Sequence, residues 1–118
     1  MSNITSHHSG NLLMVDCHRK IVLLLDKIIM LEGMVNYTLF HLKDGKKLMF
    51  SHTLNTYEDD LAQYGFVRVH RGFIINSACV RRIRNSDKQI LMEDNLVATV
   101  SRRRGGKAEV KQFLAKYN

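Results

Sequence analysis

The sequence predicts a mostly β domain of about ten short strands in antiparallel sheets, with one or two short helices. Three observations carry this expectation. The apolar runs are short and rich in β-branched residues, as in LLMVD at 12–16 and LVATV at 96–100. They are punctuated by hairpin chemistry, most clearly Lys43-Asp44-Gly45-Lys46 and Asn85-Ser86-Asp87-Lys88. They also follow one another without the strand–helix–strand alternation that builds parallel sheets.

Taken in order, residues 12–16 and 20–25 (KIVLLL) read as two strands joined by a short hairpin link at Cys17-His18-Arg19. Asp26-Lys27 interrupts as a single turn, and 28–32 (IIMLE) has the continuous apolar character of a buried strand. Residues 33–36 read as a connection, 37–42 (YTLFHL) as a strand, and 47–50 as its hairpin partner across the Asp44-Gly45 turn. Residues 53–64 form the clearest helix. Leu54, Tyr57 and Leu61 make one apolar stripe, Thr53 or Asn55 can cap it, and Gly65 closes it. Its Glu58-Asp59-Asp60 run is expected to face solvent, so this acidic helix reads as scaffold. Residues 66–75 follow as strand, kink at Arg71-Gly72, strand. Asn76 to Cys79 has cap and turn chemistry, 80–84 and 89–92 form a hairpin, and 96–100 is the last strand. Gly105-Gly106 is expected to break the chain before a terminal helix over 107–117, with Val110, Phe113, Leu114 and Tyr117 on one side.

The length of 118 residues suits one domain, here 11–118, preceded by a polar tail over 1–10 that reads as disordered. His7 and His8 belong to that tail. No apolar run approaches a membrane span and no signal peptide opens the sequence, so a cytoplasmic protein with no membrane partner is expected. Cys17 and Cys79 are far apart and read as reduced thiols, with a disulfide the lesser alternative.

The net charge of +7 suits an acidic partner, and its distribution sharpens the point. Between residues 68 and 104 lie nine Lys/Arg against three Asp/Glu, and eight of the nine arginines fall there. Arginine binds phosphate and guanine edges bidentately, so the choice of cation is itself a hint. The alternative is a solvated basic face that only maintains solubility. Within this segment, Phe66 to Val80 (FVRVHRGFIINSACV) is the organising stretch. Val67 and Val69 alternate with Arg68 and His70, and the strand ends at Arg71-Gly72. A charged side chain fixed at the end of a buried strand meets a partner at little ordering cost.

The order Ile28-Ile29-Met30-Leu31-Glu32, Asn36-Tyr37, Lys43-Asp44-Gly45, Thr53-Leu54, Phe66-Val67-Arg68-Val69-His70-Arg71, Ile75-Asn76 and Val100-Ser101-Arg102-Arg103-Arg104 resembles the LytTR DNA-binding domain. The resemblance runs from about Leu12 to Tyr117. It implies three small antiparallel sheets and a sequence-specific duplex DNA-binding function. Such domains are the output modules of bacterial transcription regulators, mostly two-component response regulators, following a receiver domain that this chain does not contain. The implied partner is promoter DNA carrying direct repeats, read by loops in successive major grooves. The isolated domain would be a monomer or weak dimer, paired on DNA. Carried over, the base-reading candidates are Asn36, Arg71 and Arg103, with Tyr37, His70, Arg102 and Arg104 contacting the backbone or supporting the readers. No cofactor or metal is implied. Two departures stand out. Gly72 occupies a position where the family commonly has serine, removing a hydroxyl that can brace Arg71. Gly105-Gly106 follows the arginine run where a helix often begins directly.

Each candidate has a plainer alternative. Arg71 can form a strand-end ion pair, and one of Arg102, Arg103 and Arg104 can turn away to an acidic partner. Asn36 can be a self-bonded turn residue. His70 can be neutral, with a ring nitrogen on a backbone carbonyl. Asn76 reads as a turn cap rather than a DNA ligand. An enzyme is not expected: a Cys79–His70 pair lacks any sign of activation, and His18, His41 and His52 lack metal-ligand spacing. An RNA or single-strand-binding sheet would need exposed aromatics alternating with cations, whereas Phe66 and Phe73 read as core.

Overall fold

Four consecutive apolar residues, Ile28, Ile29, Met30 and Leu31, set the architecture. All are at most 1% exposed, so their strand must be covered on both faces. The structure is a computed structural model that describes residues 12–117. The expected N-terminal tail, with His7 and His8, lies outside the described residues. In chain order the strands are β1 (Leu12–Asp16), β2 (Ile21–Leu24), β3 (Ile28–Met34), β4 (Tyr37–Leu42), β5 (Lys47–Phe50), β6 (Phe66–His70), β7 (Phe73–Asn76), β8 (Val80–Arg84), β9 (Gln89–Met92) and β10 (Val97–Thr99). Helix α1 (Leu54–Ala62) lies between β5 and β6, and α2 (Arg102–Gly105) and α3 (Ala108–Ala115) close the chain.

The strands form three antiparallel sheets. The central one has five strands in the order β5-β4-β3-β7-β6, flanked by a three-stranded sheet β10-β9-β8 and the hairpin β1-β2. A bulge in β3 explains its double burial. The register with β4 slips between Ile28 and Met30, so Ile29 and Met30 turn to the same side. Ile28 and Leu31 enter one core with Leu13, Val15, Leu25, Phe40, Phe50, Leu61 and the α1 stripe. Ile29 and Met30 enter the other core, beneath the three-stranded sheet and α3, with Val69, Ile75, Ile90, Met92, Val110 and Phe113. The two cores clamp the central sheet and fix where its turns emerge.

Most elements match the sequence expectation, and the differences have local causes. β3 runs on through Gly33 and Met34, pairing Met34 with Tyr37, so the connection shrinks to a two-residue turn at Val35 and Asn36. Gly33 allows this extension because a Cβ there would meet the Leu54 side chain at 3.1 Å. Asp44 and Gly45 take φ of +73° and +76° within a one-turn 3-10 segment, so this loop is longer than a two-residue turn, and the Leu42 N–H donates to the Lys46 carbonyl. Gly65 ends α1 at φ +84° as expected. Thr53 holds the N-cap position of α1 without a side-chain cap bond. Asn76 is a buried cap: its Oδ1 accepts from the Ala78 N–H, and its Nδ2 donates to the Ile28 carbonyl at 2.9 Å.

Both cysteines are free, Cys17 exposed and Cys79 buried. Burial, with Glu93 adding to it, pushes the Cys79 thiol up to about 11. Its sulfur faces the Ile28 carbonyl in the core. We expect iodoacetamide at about pH 8 to alkylate Cys17 in the folded protein and Cys79 only after denaturation. Peptide mass spectrometry checks this, and prompt native labelling of Cys79 would contradict the packing.

Candidate nucleic-acid interface

One end of the central sheet gathers the sequence-predicted residues. Strand β3 ends, and β4 begins, at the Val35-Asn36 turn. Strand β6 ends, and β7 begins, at the Arg71-Gly72 turn. Since β3 and β7 are neighbours, the two turns emerge side by side, and the Gly33 N–H joins them by donating to the Gly72 carbonyl at 2.8 Å. Beyond β6, the Ser101 N–H donates to the Val69 carbonyl at 2.9 Å, which anchors the start of α2 one residue from His70. Asn36 and Tyr37, then His70 and Arg71, then Arg102, Arg103 and Arg104 thus form a row across the sheet end.

The Arg71 turn is held by a second arginine. Arg68 is only 9% exposed and spreads its guanidinium over the turn. Its Nη2 donates to the Arg71 carbonyl at 2.5 Å and its Nε to the His70 carbonyl at 3.4 Å. Its Nη1 donates to Asn55 Oδ1 and, at 2.8 Å, to Glu58 Oε1. The Gly72 N–H donates to His70 Nδ1 at 2.9 Å. Every polar backbone group of Gly72 is therefore engaged, and the turn is braced without the hydroxyl that the resemblance led us to expect. The bond also defines His70. Its Nδ1 is an acceptor, so the ring is neutral with its proton on Nε2, bonded to an N–H rather than to a carbonyl. The Arg71 side chain is exposed and makes no hydrogen bond or ion pair among the described residues.

The arginine run is helical, not an extension of the last strand. Ser101 Oγ accepts from the Arg104 N–H at 3.1 Å and caps α2, which runs through Gly105 to a C-cap at Gly106. Gly105-Gly106 thus completes a helical turn, and a Cβ at Gly105 would meet Val100 at 3.3 Å. The helix sorts the three arginines. Arg104 is 16% exposed and reaches Glu58 Oε2 at 3.3 Å. Arg102 and Arg103 are exposed and unpartnered among the described residues. Asn36 is likewise exposed with no side-chain bond, and Tyr37 is 47% exposed.

Residues 18–115 match the model of the LytTr DNA-binding domain. The chain belongs to that family. Its fold is similar to a solved LytTr DNA-binding domain from Bacillus cereus, with a TM-score of 0.68 and 19% identity over 87% of this chain and 95% of that one. No curated protein matches.

In this LytTr domain, two functional positions escaped the sequence reading. Glu58 faces solvent only in part: its carboxylate is shared by Arg68 and Arg104 and so links the Arg71 turn to α2. Arg68 supports the edge and does not belong to it. The spacing of Asn55 and Glu58 is a usable signal, because residues three apart share a helix face, here beside the apolar stripe. Cys79 is sealed in the core, and His70 is engaged with Gly72. Among the described residues no group of three His, Cys, Asp or Glu side chains is placed to hold a metal, and no helix is long and apolar enough to cross a membrane.

Arg68→Lys should release the turn, because one ammonium cannot bond Asn55, Glu58 and two carbonyls together. We expect a stability loss of about 1–2 kcal/mol in urea unfolding, after discounting for partial exposure. Amide exchange should also quicken selectively at Gly72 and its neighbours. An unchanged Gly72 rate would show that Arg68 does not hold the turn.

Proposed function

We propose that this domain reads duplex DNA sequence-specifically, as the output module of a bacterial transcription regulator in a two-component system. The observation that carries the proposal is the division of labour among the arginines at one sheet end. Arg68 and Arg104 are bound to Glu58, while Arg71, Arg102 and Arg103 have guanidinium groups without a partner among the described residues. Unpaired arginines on a braced backbone suit a polyanion with hydrogen-bonding base edges. Arg71 and Arg103 are assigned to guanine O6 and N7, and Asn36 to adenine N6 and N7, in the major groove. Arg102, Tyr37 and the Nε2–H of His70 are assigned to phosphates. Arg104 becomes a positioning residue for α2.

The similar Bacillus cereus domain is described as part of a response regulator, which supports that setting here, with a partner receiver domain. Promoter direct repeats, pairing of two domains through DNA and a cytoplasmic location belong to the same proposal. A single-strand or RNA platform is less well supported. Exposed aromatics do exist at Tyr37, Tyr64 and Tyr117, but they sit on separate elements instead of alternating with cations along one strand.

Selection from random duplexes at moderate salt should return one enriched motif, and a flat outcome would sink base reading. Arg71→Ala should weaken binding and relax preference at one base, by about 1–3 kcal/mol of discrimination. Lys47→Ala, at the opposite end of the sheet, should change little. With about five phosphates neutralised, log K should fall with log salt at a slope near −4 to −5. Equal enrichment of single strands would favour the single-strand reading.

A further inference from the structure

The row of presenting residues includes one that the charge argument leaves unexplained. Val35 is 96% exposed, while the next most exposed large apolar side chain among the described residues, Met14, reaches 49%. It is the first residue of the two-residue β3–β4 turn, with φ +23°. That backbone region favours glycine or asparagine, and a β-branched residue there is a genuine outlier. Asparagine is available in this turn but stands one position later, at Asn36. A valine in such a place has no contact within the fold that offsets its strain and its exposure to water. It is also not isolated. Met34 and Tyr37, paired across the base of the turn, are 39% and 47% exposed, and the Gly33–Gly72 bond holds the whole turn beside Arg71.

We propose that Val35 reads thymine, packing its methyl groups on the thymine C5-methyl in the groove that the row faces. This rests on the base-reading proposal above and deepens it. The thymine methyl is the apolar feature of the major-groove base edges, so an apolar side chain at the tip of a presenting turn has one natural counterpart there. The neighbouring Asn36 supplies the hydrogen-bonding chemistry for an adenine. The β3–β4 turn then reads an A·T-containing step, while the arginines read G·C pairs.

The test replaces each thymine of a selected duplex, one at a time, by deoxyuridine, which deletes only the methyl group. Affinities are measured for the wild type, Val35→Asn and Val35→Ala. The wild type should lose about fourfold at one thymine, the worth of one buried methyl. Val35→Asn should bind the thymine duplex more weakly and be indifferent to deoxyuridine at that position, and Val35→Ala, which keeps one methyl group, should show a smaller loss than the wild type. Val35→Asn suits the left-handed backbone and should melt no lower than the wild type, so weakened binding cannot be assigned to unfolding. If no thymine shows the loss in the wild type, or if the loss keeps its size in Val35→Asn, the proposal is overturned. An enriched motif without a methyl effect removes only the Val35 assignment, whereas no enriched motif removes base reading as a whole.

Discussion

Two guanidinium groups, largely withdrawn from water, meet at one carboxylate. Arg68 and Arg104 come from elements 36 residues apart in sequence, and Glu58 on α1 accepts from both. Removing a cation from water is costly unless it is paired and its donors are bonded. Arg68 meets most of that requirement, since four of its five N–H donors bond Glu58, Asn55 and two carbonyls. In doing so it fixes the backbone of the turn that carries Arg71. Arg104 meets it through Glu58 and thereby sets the direction in which α2 points Arg102 and Arg103. The acidic helix is thus a scaffold in a more specific sense than its composition suggests: its one half-buried carboxylate holds two presenting elements in fixed relation.

The doubly buried β3 makes this geometry possible. Its bulge lets consecutive residues feed both cores, and the cores hold the sheet from each side. Hairpins on either side of the β3–β7 pairing must then turn at the same end, which brings Asn36 next to Arg71 although 35 residues separate them. Conformational entropy is lost once, on folding, and need not be lost again when the edge meets the proposed DNA partner. The same logic applies to Val35, whose backbone and exposure are disfavoured in isolation and become useful only against a partner.

Much of this was legible in the sequence. Short apolar runs, hairpin turns and the α1 stripe determine strand count, sheet type and helix position, because each is a local signal with a local cause. The family resemblance supplied the row of candidates. What remained hidden was non-local. Glu58 looks like any acid on a solvated helix face until Arg68 and Arg104 are brought over it. Gly72 looks like a weak point until its N–H and carbonyl find His70 and Gly33. The helical form of the arginine run turns on Ser101 acting as an N-cap. The extension of β3 past Gly33 depends on Leu54, which lies on another element.

The central claim, that Glu58 positions the residues proposed to contact DNA, opposes simple electrostatics and can be tested on that ground. Glu58→Gln removes a negative charge beside a surface proposed to meet a polyanion, which by charge alone should tighten binding. It also turns one of the two acceptor oxygens into an NH2 donor, so one arginine loses its anchor. Affinity of Glu58→Gln for a selected duplex, measured by fluorescence anisotropy at fixed salt beside Asp59→Asn on the exposed face of the same helix, decides between the two. The account predicts binding weaker by about threefold or more for Glu58→Gln, and equal or slightly tighter for Asp59→Asn. Equal or tighter binding by Glu58→Gln would contradict it.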